Sequence, residues 1–238
     1  RHDPRARRVP LTMAPRLARW RFLFVTAALW AWMFAAPHLT VRWGVQWLLQ
    51  LFLIQFVVVT LWANPRWGLM RHVLVGSWLL SLASAIAMVL PLAGESGRLA
   101  RSAQCIALVP LLSLLAAGIL RYVFSRRQLD ADGIFATIAA YLLIAIVFAQ
   151  VYTLLAIWDP ASFDAPVPLA GRSPDQVQAD LLYYSLITLA TVGYGDVLPV
   201  SATARTLAVM EATVGQFYIA VIVAVFVGMF AVERQRRR

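Results

Sequence analysis

Residues 191–196 read TVGYGD, a glycine-containing segment that directly follows an apolar run ending at Ala190. Gly193 and Gly195 can adopt positive φ angles, which allow successive backbone carbonyls to face the same side of the chain. Carbonyl oxygens arranged in that way can replace the hydration shell of a dehydrated monovalent cation. A glycine-tyrosine-glycine tripeptide by itself is more often a turn, so the surrounding elements must decide between a turn and a cation site.

A cation site in this segment would use backbone oxygens and one hydroxyl. Its ligands would be the carbonyls of Thr191, Val192, Gly193 and Tyr194, together with the Thr191 hydroxyl. The side chains of Val192 and Tyr194 would point away from the cation and brace the loop. One segment supplies a quarter of such a ring and the chain holds one copy, so a complete site requires a homotetramer.

The composition indicates a membrane protein. Of 238 residues, 61% are hydrophobic and 13% are charged, which is too apolar for a soluble domain of this length. All 21 basic residues are arginine and the formal net charge is +10, which suits either nucleic acid or anionic lipid. Because the arginines lie beside predicted membrane spans, we expect anionic lipid and no nucleic acid. No nucleophile, base and orienting group occur together, which argues against an enzyme.

Six stretches approach the roughly 20 apolar residues that a helix needs to cross a membrane. They are residues 20–36, 45–63, 72–92, 103–124, 134–158 and 205–230. A further apolar run, residues 181–190, is too short to cross and is predicted to be re-entrant. The expected fold is an all-α membrane protein with six transmembrane helices, a re-entrant pore helix and a selectivity-filter loop.

Arginine is concentrated on one side of the predicted spans. An even number of spans places both termini on the same side. Most arginines lie in the N-terminal segment, the second-to-third loop, the fourth-to-fifth loop and the C-terminal tail. Because basic residues are in excess in cytoplasmic loops, both termini are predicted to be cytoplasmic. The first stretch has an alternative interpretation as a signal peptide, since an Arg-rich start precedes a modest apolar core.

The residues before the loop are predicted to form a short helix. Asp180 is the predicted N-cap, and the sequence LLYYSLITLA that follows is apolar as far as Ala190. The carboxyl end of such a helix carries partial negative charge, which favours a cation just beyond it. Residues 159–180 contain four Pro and four Asp, which predicts an irregular acidic outer loop. This context favours a cation site over a turn.

The sequence TLATVGYGD, with the aromatic pair Tyr183 and Tyr184 before it, resembles the pore loop of potassium channels. The resemblance to bacterial pore-loop cation channels extends over residues 134–238. It implies a homotetrameric, potassium-selective channel of a bacterial inner membrane, with potassium ions in the filter and no organic cofactor. The change of pattern near Arg127 predicts a four-helix transmembrane domain, residues 1–127, and a pore domain, residues 128–238.

The resemblance also implies roles for single residues. Gly193, Tyr194 and Gly195 would hold the carbonyl ladder, and Asp196 would be the aspartate that follows the filter. Tyr183 or Tyr184 would brace the filter. Gly215 would be a hinge in the inner helix. Two positions depart from the family pattern. Ala190 replaces a second threonine, which removes a hydroxyl from the innermost cation site. Ile187 replaces a glutamate that pairs with the aspartate in some members, so inactivation driven by that pair is not expected.

The last predicted span contains a carboxylate and candidate gate residues. Glu211 is costly to bury in a membrane, so it is predicted to be either a structural brace behind the pore helix or a group for gating or ion binding. Ile219, Val223 and Val227 share one helix face and can form an apolar constriction that gates by dewetting.

Voltage sensing needs several charges spaced along one helix, and the fourth span has no basic residue before Arg121. We therefore expect weak or no voltage dependence. Three other functions are compatible with the sequence, namely a poorly selective cation channel, a potassium transporter and a nonconducting membrane subunit. The intact TVGYGD argues against the first, and the single copy of it argues against a transporter with four linked pore units.

Overall fold

The computed structural model describes residues 21–35, 68–89, 95–125, 130–169 and 171–236. The helices in these ranges are α1 (Arg21–Ala35), α2 (Gly68–Val89), α3 (Glu95–Phe124), α4 (Ala131–Trp158), α5 (Pro174–Leu189) and α6 (Ala202–Arg236). A 3-10 turn, Pro160–Ser162, follows α4. Two short strands, β1 (Phe163–Asp164) and β2 (Leu198–Pro199), pair antiparallel and join the chain before α5 to the chain before α6.

Three of the helices in the described ranges are long and apolar enough to cross a membrane. They are α3, α4 and the part of α6 from Ala202 to Met229. α1 and α2 have shorter apolar cores, Phe22–Met33 and Arg71–Ala87. Five of the predicted spans coincide with a helix. The second span, 45–63, and the Arg-rich segment before residue 21 lie outside the described residues, so six spans remain a prediction.

The helix before the loop begins earlier than predicted. Ser173 is the N-cap of α5, because its hydroxyl accepts from the Gln176 N–H at 3.3 Å and the Gln176 side chain accepts from the Ser173 N–H at 3.0 Å. The prediction that Asp180 caps this helix is wrong, and so is that of irregular chain up to residue 180. A reciprocal capping box with Pro174 in the first turn starts a helix more strongly than an isolated aspartate. Asp180 pairs with Arg172 instead.

Among the described residues, one core cluster has buried members in each of the helices α1 to α5. Leu108, Leu111 and Leu115 of α3 are buried in one cluster with an alanine-rich face of α4. Small residues such as Ala136 and Ala140 let neighbouring helix backbones approach closely, which is how apolar helices gain packing energy in a membrane. The apolar stretches of α3 and α4 therefore pack on each other as well as facing outward.

A buried carboxylate fixes one end of this cluster. Asp132, in the first turn of α4, accepts from the Phe22 N–H at 3.1 Å and from the Tyr122 hydroxyl at 2.8 Å. The side chain thereby ties α1 and α3 to the start of α4. Because a buried carboxylate is stable only when its oxygens have partners, these contacts specify how the three helices meet.

An aromatic cluster holds α5 against α4. Tyr152 of α4 lies 5.5 Å from Phe163 of β1 and 5.2 Å from Tyr184 of α5, measured between ring centroids. Phe163 and Tyr184 are 5.6 Å apart, and all three pairs meet edge to face. Edge-to-face pairs add to the energy of burying the rings. The cluster therefore fixes the position of α5 relative to α4, and with it the point at which the following loop begins.

α6 is much less covered by its own chain than α3 and α4 are. Of its most apolar stretch only 6% is buried, against 50% for α3 and 56% for α4. Val209, Phe217 and Val227 are 68%, 67% and 61% exposed. An apolar surface of this extent requires lipid or further protein chains to cover it.

Candidate cation site

The backbone of the loop after α5 alternates in the sign of φ. Thr191, Gly193 and Gly195 have positive φ angles of 56°, 57° and 77°, whereas Val192 and Tyr194 between them do not. In an alternating chain of this kind successive carbonyls can face the same side, as a carbonyl ladder requires. The positive φ of the glycines is the conformation predicted from the sequence.

Positive φ at Thr191 is a feature that sequence reasoning missed. A β-branched residue is an outlier in the left-handed region, at a cost of roughly 1–2 kcal/mol. Nothing in the residue type signals this conformation. The only signal was the resemblance of the whole segment to a potassium-channel loop, because a ladder that starts at residue 191 needs the alternation to start there.

The carboxyl end of α5 holds the start of the loop. The Thr191 N–H donates to the Thr188 carbonyl at 3.0 Å, and the Val192 N–H donates to the Ile187 carbonyl at 2.8 Å. These bonds pair carbonyls that the last turn of the helix would otherwise leave without partners. They also fix the direction in which the loop leaves the negative end of the α5 dipole.

The outer end of the loop is tied to α5 by a different contact. The Tyr183 hydroxyl donates to Asp196 Oδ2 at 2.7 Å, and Asp196 Oδ1 accepts from the Val197 N–H at 3.1 Å. A phenol already keeps its proton at neutral pH, and the hydrogen bond to Asp196 raises the pKa of the Tyr183 phenol further. Of the predicted aromatic pair, Tyr183 contacts the loop, whereas Tyr184 is buried in the aromatic cluster.

Glu211 of α6 is fully buried and contacts both α4 and α5. The Tyr152 hydroxyl donates to Glu211 Oε2 at 2.7 Å, and Ser185 of α5 hydrogen-bonds to Glu211 Oε1. Ser185 Oγ also donates to the Ala145 carbonyl at 2.7 Å. The carboxyl group thus joins α4, α5 and α6 at one point. These are the contacts expected of a structural brace.

The protons in this network can be counted. Ser185 has a single hydroxyl proton but lies within hydrogen-bond distance of two acceptors, the Ala145 carbonyl and Glu211 Oε1. If Ser185 donates to the carbonyl, a proton on Glu211 completes the network by donating to Ser185 Oγ. A neutral carboxyl group therefore satisfies every hydrogen bond among these residues, and a neutral carboxamide would do the same.

Gly215 lies where α6 passes the end of α5. A Cβ atom on Gly215 would lie 2.2 Å from the Leu189 carbonyl oxygen, closer than two such atoms can approach. α6 runs as one continuous helix through this position. Close approach of two backbones is therefore sufficient reason for glycine here, and the hinge predicted at this residue stays a prediction.

A contact between α6 and the loop was also missed from the sequence. The Gln216 carboxamide nitrogen lies 3.2 Å from the Thr191 hydroxyl oxygen. No sequence pattern links two residues that are 25 positions apart, although a polar side chain in an apolar span was a signal worth following.

The predicted gate residues lie on α6 with little cover from their own chain. Ile219, Val223 and Val227 are 45%, 55% and 61% exposed. Their four-residue spacing places them on one side of the continuous helix. That they line a conduction pathway remains a prediction, because one chain does not enclose a pathway.

The ligands that this site can offer to a cation are backbone oxygens rather than a cluster of side-chain groups. Within the ranges that the structure describes, no group of three or more His, Cys, Asp or Glu is placed to hold a metal ion. A loop whose carbonyls can face one side, at the negative end of a short helix, would suit a monovalent cation.

Sequence comparisons indicate a family for this part of the chain. A family described as ion channel matches residues 140–232, which include most of α4, all of α5, the loop and most of α6. Protein LctB of Bacillus caldotenax is similar to this chain, with 35% identity over 101 residues that cover 42% of this chain and 75% of that protein. The chain belongs to the ion channel family. It is a membrane channel protein and not an enzyme.

A first prediction for this ion channel concerns the Glu211 network. Glu211→Gln should unfold close to the wild-type temperature, because the carboxamide can accept from Tyr152 and donate to Ser185. Glu211→Ala leaves both hydroxyls without this partner and opens a cavity, so we expect a loss of about 2–5 kcal/mol in the free energy of unfolding. Thermal unfolding in detergent, followed by circular dichroism, measures both. An equal loss of thermal stability from the two substitutions would show that the negative charge of Glu211 is required.

A second prediction compares two glycines of α6. Gly215→Ala should lower the free energy of unfolding by about 1–3 kcal/mol, because the Leu189 backbone has to move to admit the methyl group. Gly228→Ala is the matched control. A Cβ atom there meets nothing within 4 Å, so the higher helix propensity of alanine should stabilise the protein by up to about 1 kcal/mol. Wild-type stability of Gly215→Ala together with altered channel opening would instead favour a hinge.

Proposed function

We propose that this channel conducts potassium ions selectively and passively through a homotetramer, in which residues Thr191 to Gly195 of four chains form the selectivity filter. The observation that carries the proposal is the alternation of positive and non-positive φ along TVGYG. Four such segments around an axis would stack rings of carbonyl oxygens, with the Thr191 hydroxyls as the innermost ring. Oxygens at fixed positions replace the hydration shell of one cation size better than that of another.

Two sets of contacts support a filter of fixed shape. α5 holds the inner end of the loop through the Ile187 and Thr188 carbonyls, and Tyr183 holds the outer end through Asp196. α5 itself is fixed by the aromatic cluster and by Glu211. A loop held at both ends discriminates between cations better than a mobile one, because its carbonyls cannot collapse around a smaller ion.

The exposed apolar surface of α6 supports the tetramer. A ring of four chains would place one part of this surface against neighbouring subunits and another part around a central cavity. In that arrangement the side of α6 that carries Ile219, Val223 and Val227 would line the inner half of the pathway and form the gate. Lipid would cover the outward surfaces of α3 and α4, and anionic lipid would contact the Arg-rich cytoplasmic ends in a bacterial inner membrane.

The arrangement of charge on α3 supports weak or absent voltage dependence. Arg98 and Arg101 lie near the start of the helix and Arg121 near its end, with no charged residue between them. Arg98 lies over the Trp158 ring at 5.0 Å, and Arg101 pairs with Asp175 of α5 at 3.2 Å. Charges held at fixed ends of a helix cannot cross the membrane field, whereas gating by voltage needs several that do.

Cation flux into liposomes that contain the purified protein tests the proposed function. We expect potassium and rubidium to enter at least about a hundredfold faster than sodium and lithium. Gly193→Ala should abolish this selectivity or all flux, because alanine is strained at a φ of 57°. Gly171→Ala is the matched control, since Gly171 also has a positive φ, 96°, with nothing within 4 Å of an added Cβ, and it lies outside the loop.

Other outcomes would contradict the proposal in different ways. Equal entry of sodium would indicate a poorly selective cation channel. Flux that requires a second ion gradient would indicate a transporter, and oligomer mass would then show whether four chains are present. Absence of all flux at every pH and lipid composition tested would favour a nonconducting subunit.

A further inference from the structure

Gln216 approaches the inner end of the loop because α6 approaches α5. The preceding residue, Gly215, is buried against the Leu189 carbonyl with no room for a side chain. This close approach brings the Gln216 carboxamide nitrogen to 3.2 Å from the Thr191 hydroxyl oxygen. A bulkier residue at 215 would move α6 outward and lengthen this contact.

The contact constrains the Thr191 hydroxyl. A threonine hydroxyl has one proton and two acceptor lone pairs, and its proton can rotate to suit its surroundings. The Gln216 amide donates to the oxygen and occupies one lone pair. The second lone pair and the proton are then confined to the remaining directions, so the hydroxyl can keep a fixed lone pair for a cation.

Two features make this hydroxyl important at this end of the loop. Ala190, immediately before it, has no hydroxyl to offer. Thr191 itself has the unfavourable positive φ of 56°, so contacts from outside the loop are needed to hold it there. The Thr191 N–H donates to the Thr188 carbonyl of α5, and Gln216 of α6 donates to the Thr191 side-chain hydroxyl.

We propose that Gln216 is a positioning residue that orients the Thr191 hydroxyl and thereby sets the cation preference of the innermost filter site. The inference rests on the proposed function, because it assigns that hydroxyl to a potassium site. In the tetramer four carboxamides would surround the inner mouth. Each would donate one N–H to Thr191 and retain a second N–H and an acceptor oxygen, and because the carboxamide is neutral the ring would add no charge to the pathway.

Liposome flux with Gln216→Met tests this role. Methionine has a similar length but cannot donate a hydrogen bond. We expect potassium to be still conducted while the ratio of potassium to sodium flux falls at least about tenfold, because four weakened hydroxyl contacts act on one ion. Thr213→Val is the matched control. Thr213 is also an exposed polar residue of α6, but its hydroxyl bonds to Val209 of its own helix, so the flux ratio should not change.

A second variant separates positioning from packing. Gln216→Asn keeps the amide but is one methylene shorter, so it should lose the contact and lower the flux ratio as methionine does. If Gln216 acts through the hydroxyl, Gln216→Met should cause no further loss in a Thr191→Val background. Calorimetric titration with potassium and sodium chloride gives the same comparison for variants that stay closed.

The inference and the proposed function fail in distinguishable ways. A selective wild-type protein whose ratio is unchanged in Gln216→Met and Gln216→Asn would overturn the role of Gln216 and leave the proposed function intact. Equal lowering of the ratio by Gln216→Met with and without the Thr191 hydroxyl would also overturn it. A wild-type protein that passes sodium as fast as potassium would overturn both.

Discussion

Non-helical backbone between apolar helices is the constraint on which the rest of the structure depends. Residues 191–195 follow α5 but do not continue its α-helical hydrogen-bond pattern, and three of the five have positive φ angles. Such a segment is tolerated within a membrane protein only where protein groups or water satisfy its polar atoms. α5 satisfies its start through carbonyls of the last turn, and Tyr183 fixes its outer end through Asp196. The aromatic cluster and Glu211 act one step further away, because they hold α5 where these contacts can form.

The uncovered surface of α6 fits the proposed tetramer. In that tetramer each chain would supply one quarter of a ring, so one side of its inner helix would be left free for the pathway and another for its neighbours. The low burial of α6, 6% against 56% for α4, is what such an arrangement would require. Burial among the described residues is concentrated in α3 and α4, whose leucine and alanine positions bury each other.

Much of the fold could be predicted from the sequence because membrane helices can be recognised by their length and apolar composition. The spans at 103–124, 134–158 and 205–230 each lie within a helix, although α3 begins eight residues before its span and α6 ends six residues after its span, in stretches that contain polar residues. The start of α5 was missed because Asp180 was favoured by its position next to the apolar run. The capping box at Ser173 lies in a polar stretch whose four prolines suggested a loop, yet Pro174 is a favourable residue in the first turn of a helix.

The candidate site could be predicted in part, and the reason differs from residue to residue. Glycine adopts positive φ angles without steric cost, so the positive φ angles of Gly193 and Gly195 could be predicted. The positive φ of Thr191 is unusual for a β-branched residue and is not signalled by its residue type. The contact of Gln216 with Thr191 depends on how closely α6 passes α5, which no local pattern encodes. Gly215 was recognised as special from the resemblance, but its contact with Leu189 is visible only in three dimensions. Tertiary distances between helices are what the sequence alone leaves open.

The most direct test of the central claim is a structure of the purified channel in rubidium chloride, with anomalous X-ray diffraction at the rubidium edge. The account predicts four chains around an axis and a row of rubidium peaks on that axis beside the carbonyls of Thr191 to Tyr194. The row should persist when excess sodium chloride is added to the rubidium, because the proposed filter prefers the larger cation. A different number of chains, or an axis without ions at this height, would contradict it.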